Sequence, residues 1–237
     1  MWDNPALLRN TSTAMFVVSV LLMVYGAAHY LVHLPTLLPL HSVRLSAAPV
    51  QVDELDVLQV VREKVHGNFF TVDIEQLRME IEKLPWVRRV EIRREFPDRL
   101  AIALEEHQAM ARWNNDDLVN QQGEVFSAEV DSTHIMPNFI GQPGESELVA
   151  QQYAQCNEQL AKVHLQATQI AESPRHSWQL KLNNGMVLEL GSEQMQERLA
   201  RFVTVYPYSL AAMQDAVKTV DLRYRNGFAV SSSSRQS

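Results

Sequence analysis

The chain has 237 residues, with 21 Lys and Arg against 28 Asp and Glu, and 46% of its residues are hydrophobic. This length allows one or two globular domains, and the single cysteine excludes a disulfide framework. A net charge of −7 argues against a nucleic-acid-binding protein, because affinity for nucleic acid depends on Lys and Arg that neutralise phosphates.

An apolar segment near the N-terminus predicts a transmembrane helix. Residues 14–34 contain no Asp, Glu, Lys or Arg. At 1.5 Å per residue they would extend about 31 Å, enough to cross a hydrocarbon core of about 30 Å. Tyr25 and Tyr30 lie toward the far end of the segment, where aromatic rings prefer the water interface. His29 and His33 have the i, i+4 spacing of metal or haem ligands, but we interpret them as polar residues at the membrane boundary.

A cleavable signal peptide is the alternative to an uncleaved anchor. The small residues 26–28 resemble a cleavage site, but the apolar run continues beyond them, which favours the anchor. Arg9 precedes the segment and the next cation is Arg44, so the positive-inside rule favours a cytoplasmic N-terminus. Residues 1–13 would then form a cytoplasmic tail, and the remainder would lie outside the cytoplasm.

Residues 35–108 predict a domain with the element order β-α-α-β-β. Asp53 and Asp73 have the positions of helix N-caps, and each precedes an apolar pattern of helical period. From Trp86 to Phe96 the apolar period changes from about 3.6 to 2, which predicts a strand with Val90 and Val87 on opposite faces. The predicted elements are a strand at 41–45, helices after each cap, a strand at 86–96, and a returning strand that includes 100–104.

Residues 109–230 predict a second domain with a mixed sheet and helices, so the fold class is α+β. Cys156 lies in the apolar stripe of a long helix, which indicates a core thiol and not a nucleophile. The polar run 231–237 is predicted to be disordered. The predicted elements are strands at 109–113 and 118–126, a helix at 145–163, a hairpin at 178–190, a helix ended by Pro207, and a strand at 217–224.

The register of the predicted hairpin follows from its side-chain pattern. A three-residue loop at 183–185 places the apolar residues of both strands on one face. A two-residue loop would pair Leu180 with Glu189 and bury a carboxylate. The cost of that burial favours the longer loop, with Gly185 in the left-handed conformation.

No motif for catalysis or nucleotide binding occurs in the sequence: it lacks a Walker loop, GxGxxG, HExxH, GxSxG and SxxK. Residues 105–107 form a polar Glu-Glu-His cluster, but neighbouring strand residues point to opposite faces. We therefore expect no enzyme activity, no cofactor and no metal site. The sequence leaves open whether folding alone brings a pair of catalytic carboxylates together.

Several segments closely resemble the FtsQ/DivIB family of bacterial cell-division proteins. The likeness covers nearly the whole chain, and strings of this length in this order are specific. They are GNFFTVD at 67–73, LPWV at 84–87, RREFPDRL at 93–100, ARW at 111–113, SWQLKLNN at 177–184, RLARFV at 198–203 and VDLRY at 220–224.

The resemblance implies a non-enzymatic scaffold of the bacterial inner membrane at the division septum. Residues 14–34 would be its single-pass helix, 35–108 a periplasmic POTRA domain and 109–230 a C-terminal β domain. That β domain would bind the division proteins FtsB and FtsL and link them to the septal wall synthases FtsW and FtsI. The alternatives are a POTRA-type polypeptide-binding chaperone and a periplasmic wall hydrolase.

The resemblance also implies partner-binding positions near the C-terminus. The predicted strand 217–224 is followed by a polar tail, so its outer edge would offer unpaired backbone groups to a partner strand. Arginines there would meet acidic side chains of FtsB, and a tyrosine would supply buried aromatic area. The expected partner-binding residues are Arg175, Arg223, Tyr224, Asn226 and Gly227.

Overall fold

A computed structural model of the chain describes residues 5–32, 34, 39–40, 42–131, 135–213, 217–224 and 227–232. The chain divides into two compact units, Met1–Glu106 and His107–Ser237, and each has its own hydrophobic core.

The first unit begins with helix α1, Pro5–Val32. Within it, Thr11–Val32 is long and apolar enough to cross a membrane, and its side chains are exposed. An exposed apolar helix of this length would be costly in water, so this part of α1 is suited to a lipid environment.

The rest of the first unit has the predicted element order. Its elements are β1 Ser42–Leu45, α2 Glu54–Lys64, α3 Ile74–Ile81, β2 Val87–Glu95 and β3 Arg99–Glu106. The sheet has the order β1-β3-β2, with β1 parallel and β2 antiparallel to β3. Leu77 and Ile81 of α3 are fully buried in one core with Leu100 and Ile102 of β3, so the helices cover one face of the sheet.

Both predicted N-caps are confirmed. Asp53 Oδ1 accepts a hydrogen bond from Leu55 N at 2.8 Å, and Asp73 Oδ1 accepts one from Gln76 N at 2.9 Å. Each carboxylate satisfies an N–H group that has no partner inside its helix.

The predicted orientation of Val87 is wrong. Val87 is buried, like Val90, because the pairing of β2 with β3 shifts between Val87 and Arg89. Such a bulge inserts one residue into the strand and therefore turns the side chains before it to the other face.

The second unit is a nine-stranded mixed sheet with two α-helices, counted over the described residues. Its order is β12-β11-β10-β9-β8-β7-β4-β5-β6, with the pairs β4–β7, β7–β8 and β10–β11 parallel. The strands are β4 Ala109–Trp113, β5 Asp117–Asn120, β6 Val125–Phe126, β7 Asn138–Ile140, β8 Ala167–Glu172, β9 Trp178–Leu182, β10 Val187–Gly191, β11 Val217–Asp221 and β12 Ala229–Ser232. The helices are α4 Ser146–Ala161 and α5 Met195–Ser209. The fold class is α+β, as predicted.

Helices α4 and α5 pack against each other and on the sheet. Cys156 of α4 and Phe202 of α5 are fully buried in the resulting core. Burial raises the pKa of the Cys156 thiol to about 12, so the thiol stays protonated at neutral pH. The prediction that Cys156 is a core residue is confirmed.

The predicted hairpin register is also confirmed. Leu182 N donates to Met186 O at 2.8 Å, and Leu188 lies opposite Leu180. Gly185 has a φ of 84°, the left-handed conformation that the three-residue loop requires.

The prediction that Pro207 ends the last helix is wrong, because α5 continues to Ser209. Pro207 removes one backbone donor, but Leu210 N still donates to Tyr206 O at 3.1 Å. The lost bond weakens the last turn of the helix without ending it.

One carboxylate of the first unit binds the backbone of a loop. Glu106, the last residue of β3, accepts hydrogen bonds from Val50 N, Gln51 N and Val52 N at 2.8–3.0 Å. Burial by itself would raise the pKa of Glu106, but the three N–H donors outweigh burial and hold the pKa below its ordinary value. The stabilisation is therefore present above the ordinary carboxyl range and is lost as the pH falls through this lowered pKa.

Glu106→Ala should destabilise the first unit by about 1–3 kcal/mol, because the three N–H groups lose a charged acceptor. Hydrogen exchange of the full chain at neutral pH should show faster exchange at residues 50–52. The matched control is Glu105→Ala, which removes the neighbouring exposed carboxylate that pairs with Arg88. Equal exchange in the two variants would contradict this role of Glu106.

Candidate protein-interaction site

The sheet of the second unit ends at a strand that the sequence analysis did not predict. β12 pairs antiparallel with β11, with Ala229 opposite Asp221 and Val230 opposite Val220. The prediction that the strand after residue 217 has a free outer edge is therefore wrong. Phe228, which directly precedes β12, is partly buried and packs against the core of this unit.

The open edge belongs to β12 instead. Within the described part of the chain, β12 is the terminal strand of the sheet order and pairs only with β11. Its residues are Ala, Val, Ser and Ser, and Ala229, Val230 and Ser231 are exposed. β12 thus lacks the charges and prolines that usually protect an edge strand, and a further strand could pair with it.

Arg223 and Tyr224 follow β11, which ends at Asp221, so their predicted position on the strand is also wrong. Arg223 Nε donates to Asp221 Oδ1 at 2.9 Å, and Arg223 Nη2 donates to Asp221 Oδ2 at 2.6 Å. The hydrogen bonds from Arg223 hold the pKa of Asp221 below its ordinary value, and Asp221 raises the pKa of Arg223. An acidic partner would therefore meet an arginine that already binds one carboxylate.

Tyr224 is an exposed aromatic side chain on an anchored backbone. Its side chain is 59% exposed, while Arg201 Nη2 of α5 donates to its carbonyl oxygen at 3.3 Å. Leu222, two residues earlier, is buried, and its N–H donates to Glu189 O at 2.8 Å. The backbone at Tyr224 is therefore held in place, which reduces the backbone entropy lost on binding.

An apolar cleft of about 520 Å³ lies next to this segment. One wall is formed by α5 residues that include Ala200 and Val205, and the other includes Leu222, Gly227 and Phe228. A partner side chain of aromatic or aliphatic type would fit such a cleft.

The sheet topology brings the predicted residues to one end of the sheet. Trp178, at the start of β9, lies opposite Gly191 at the end of β10, and β11 is parallel to β10. Arg175 precedes β9 and Arg223 follows β11, so both lie at this end, and both are exposed. Gly227, which precedes the antiparallel β12, belongs to the same end. Asn226 lies outside the described residues.

The distance across the sheet limits what one partner strand can contact. Neighbouring strands are about 4.8 Å apart, so β9 and β12 are separated by roughly 14 Å. A strand added to β12 would lie roughly 10 Å from β11, on the far side of β12, and would therefore be nearer to Arg223 and Tyr224 than to Arg175. A contact with Arg175 needs a second part of the partner that crosses the end of the sheet.

Comparison with known proteins identifies the family. The family model described as "Cell division protein FtsQ/DivIB, C-terminal" matches residues 111–223, and that described as "POTRA domain, FtsQ-type" matches residues 38–107. The cell division protein FtsQ of Nitrosospira multiformis is 37% identical, over 97% of this chain and 98% of its own length. This chain belongs to the FtsQ family. The FtsQ of Burkholderia pseudomallei is 32% identical over 97% of this chain and 94% of its own length, and that of Escherichia coli is 38% identical over 69% of this chain and 62% of its own length.

The FtsQ C-terminal match ends at Arg223, so Tyr224 and β12 lie beyond it. Sequence reasoning on this FtsQ chain also missed β12, which extends two residues past the predicted domain end at Val230. A signal was available, because Gly227 precedes Phe228 and Val230, whose spacing of two is typical of a strand after a turn.

A glycine lies under the Arg223 side chain. Gly191 has a φ of 74°, and a Cβ built there would lie 3.1 Å from Arg223 Cγ and 2.6 Å from Arg198 Nη1. Arg198 Nη1 in turn donates to the carbonyl oxygen of Leu190. Gly191 therefore lets both arginines approach the backbone closely.

Gly191→Ala should destabilise the second unit more than Gly185→Ala, the matched control. Both alanines take a left-handed conformation that costs about 1–2 kcal/mol, but a Cβ at Gly185 meets no described atom within 4 Å. We expect an additional loss of about 1 kcal/mol at Gly191 from the displaced arginines. Urea denaturation of a Trp2→Phe/Trp86→Phe chain, followed by the fluorescence of Trp113 and Trp178, measures this unit alone. Equal losses would show that the arginines do not depend on Gly191.

Proposed function

We propose that this chain is a non-enzymatic scaffold of the bacterial inner membrane that recruits division proteins to the septum. The N-terminus would be cytoplasmic, α1 would be the single-pass anchor, and both folded units would be periplasmic. The C-terminal unit would bind FtsB and FtsL and link them to septal peptidoglycan synthesis by FtsW and FtsI. Membership of the FtsQ family and the apolar length of α1 support this proposal.

The single observation that carries the binding mechanism is the open edge of β12. A partner segment that adds to β12 would satisfy a row of backbone N–H and C=O groups on both chains, as in other cases of strand addition. Tyr224 and the apolar cleft lie at the end of the sheet where β12 begins, and they would supply the buried area that backbone pairing alone lacks.

Charge complementarity supports an acidic segment in the partner. Arg223 and Arg175 are exposed at the same end of the sheet, and guanidinium groups bind carboxylates with paired hydrogen bonds. Because Arg223 already binds Asp221, a partner carboxylate would share this arginine, and its contribution would fall at high salt.

The first test is the affinity of the full chain, in nanodiscs, for the purified FtsB–FtsL complex. Tyr224→Ala should raise the dissociation constant about 30-fold, which corresponds to about 2 kcal/mol for a central aromatic residue. Tyr208→Ala is the matched control, because Tyr208 is 89% exposed on α5 and is assigned no role. The same affinity for both folded variants would remove Tyr224 from the binding site.

The second test concerns strand addition itself. Addition of the FtsB–FtsL complex should slow hydrogen exchange of the β12 amides, because their outward-facing N–H groups gain acceptors. Strand β6, at the other end of the sheet order, provides the internal control and should not change. If the complex binds while β12 exchanges as before, the partner uses another surface.

A further inference from the structure

Two carboxylates and an imidazole converge at the end of the sheet that carries Arg175. Glu172 is the last residue of β8, His176 lies in the turn between β8 and β9, and Glu145 immediately precedes α4. Each offers one ligand atom, and these atoms all lie within 4.8 Å of one another. Glu172 and His176 are close in sequence, at i, i+4, whereas Glu145 is distant, so only the fold brings Glu145 to the other two.

Glu172 is a buried carboxylate with an unused oxygen. Its side chain is 1% exposed, and its Oε1 lies 2.8 Å from His176 Nδ1. Among the residues that the structure describes, its Oε2 has no hydrogen-bond partner. Burial of a carboxylate oxygen without a partner is costly, so a cation or hydrogen-bond donor bound here would stabilise the folded chain.

Glu145 completes the cluster from a second element. Its Oε1 lies 3.8 Å from His176 Nδ1, while its Oε2 accepts a hydrogen bond from Gln142 N at 3.3 Å. It precedes α4 but makes no side-chain capping bond to that helix. One oxygen of Glu145 is thus held by the backbone, and the other faces the imidazole.

The backbone holds His176 over Glu172. His176 has a φ of 54°, and its N–H donates to Ser173 O at 2.8 Å within a tight turn. Ser177 N donates to Ser173 Oγ at 3.1 Å in the same turn. A non-glycine residue in the left-handed conformation is uncommon, and this one places the ring beside the buried carboxylate.

We propose that Glu145, Glu172 and His176 form a binding site for a divalent zinc ion. One imidazole nitrogen with two carboxylate oxygens is a ligand set that suits Zn²⁺, whereas Mg²⁺ and Ca²⁺ prefer oxygen ligands alone. The ion would neutralise the two carboxylates and give Oε2 of Glu172 a partner.

The geometry requires only side-chain movements. In a tetrahedral zinc site with bonds of 2.0–2.1 Å, ligand atoms lie about 3.3 Å apart. His176 Nδ1 lies 2.8 Å from Glu172 Oε1 and 3.8 Å from Glu145 Oε1, so the exposed His176 and the partly buried Glu145 would rotate to admit the ion. Glu172 and His176 also line an open cleft of about 470 Å³, from which water would supply the fourth ligand. Zinc would then fix the turn that carries Arg175.

Zinc binding is tested on the full chain in nanodiscs, without an affinity tag and with zinc chloride as the only added ligand. All proteins carry His29→Ala and His33→Ala, because this histidine pair has an i, i+4 spacing in the sequence and could bind zinc itself. Competition with a chromophoric chelator gives the affinity and the number of ions bound.

We expect one ion per chain, with binding at least about tenfold weaker in His176→Ala and in Glu145→Gln. His164→Ala is the matched control, because His164 is also exposed, also has a positive φ of 56°, and lies in the same unit. Equal zinc affinity in the parent chain and His176→Ala, or an equal loss in His164→Ala, would overturn the proposal.

Thermal denaturation gives a second readout. A ligand that binds only the folded state raises the melting temperature, so zinc should stabilise the parent chain and His164→Ala but not His176→Ala. Glu172 is left unchanged because its buried side chain also affects folding. If zinc raises the melting temperature of His176→Ala as much as that of the parent chain, the site lies elsewhere.

Discussion

Backbone pairing in the C-terminal sheet is the constraint on which the proposed binding surface depends. Inner strands satisfy their N–H and C=O groups on both sides, so unpaired backbone is confined to the two ends of the sheet order. One end is β6, with two residues, and the other is β12, with four. Strand β12, the longer of the two, has no charged residue, and it begins at the end of the sheet where Arg223 and Tyr224 follow β11. The position of these two side chains follows from the parallel pairing of β11 with β10, which sets where β11 ends.

Local rules were sufficient to predict much of the fold. Asp53 and Asp73 mark helix starts because a carboxylate can accept the free N–H groups of the first turn. The register around Gly185 was predictable because the alternative loop buries Glu189. In both cases the interaction that decides the structure is between residues close together in the sequence. The family resemblance predicted the same elements.

The errors arose where tertiary packing overrides the local pattern. The bulge that buries Val87 is fixed by pairing with β3, so strict alternation predicts the wrong face. Strand β12 is held by pairing with β11 and by packing of Phe228 on the core, whereas a serine-rich end suggests a tail. Two of the ligands proposed for zinc also meet only through tertiary packing, while the expectation of no metal site stays a prediction. Glu145 and Glu172 are separated along the chain by the whole of α4 and most of β8. No sequence spacing indicates that they meet.

The buried thiol of Cys156 has a practical consequence. It is the only cysteine of the chain, and a pKa of about 12 leaves almost no thiolate at neutral pH. Maleimides and disulfide-forming reagents would therefore spare it while the protein is folded. A cysteine introduced on the surface becomes the sole attachment point, so spin labels or crosslinkers can be placed one at a time without first removing the native residue.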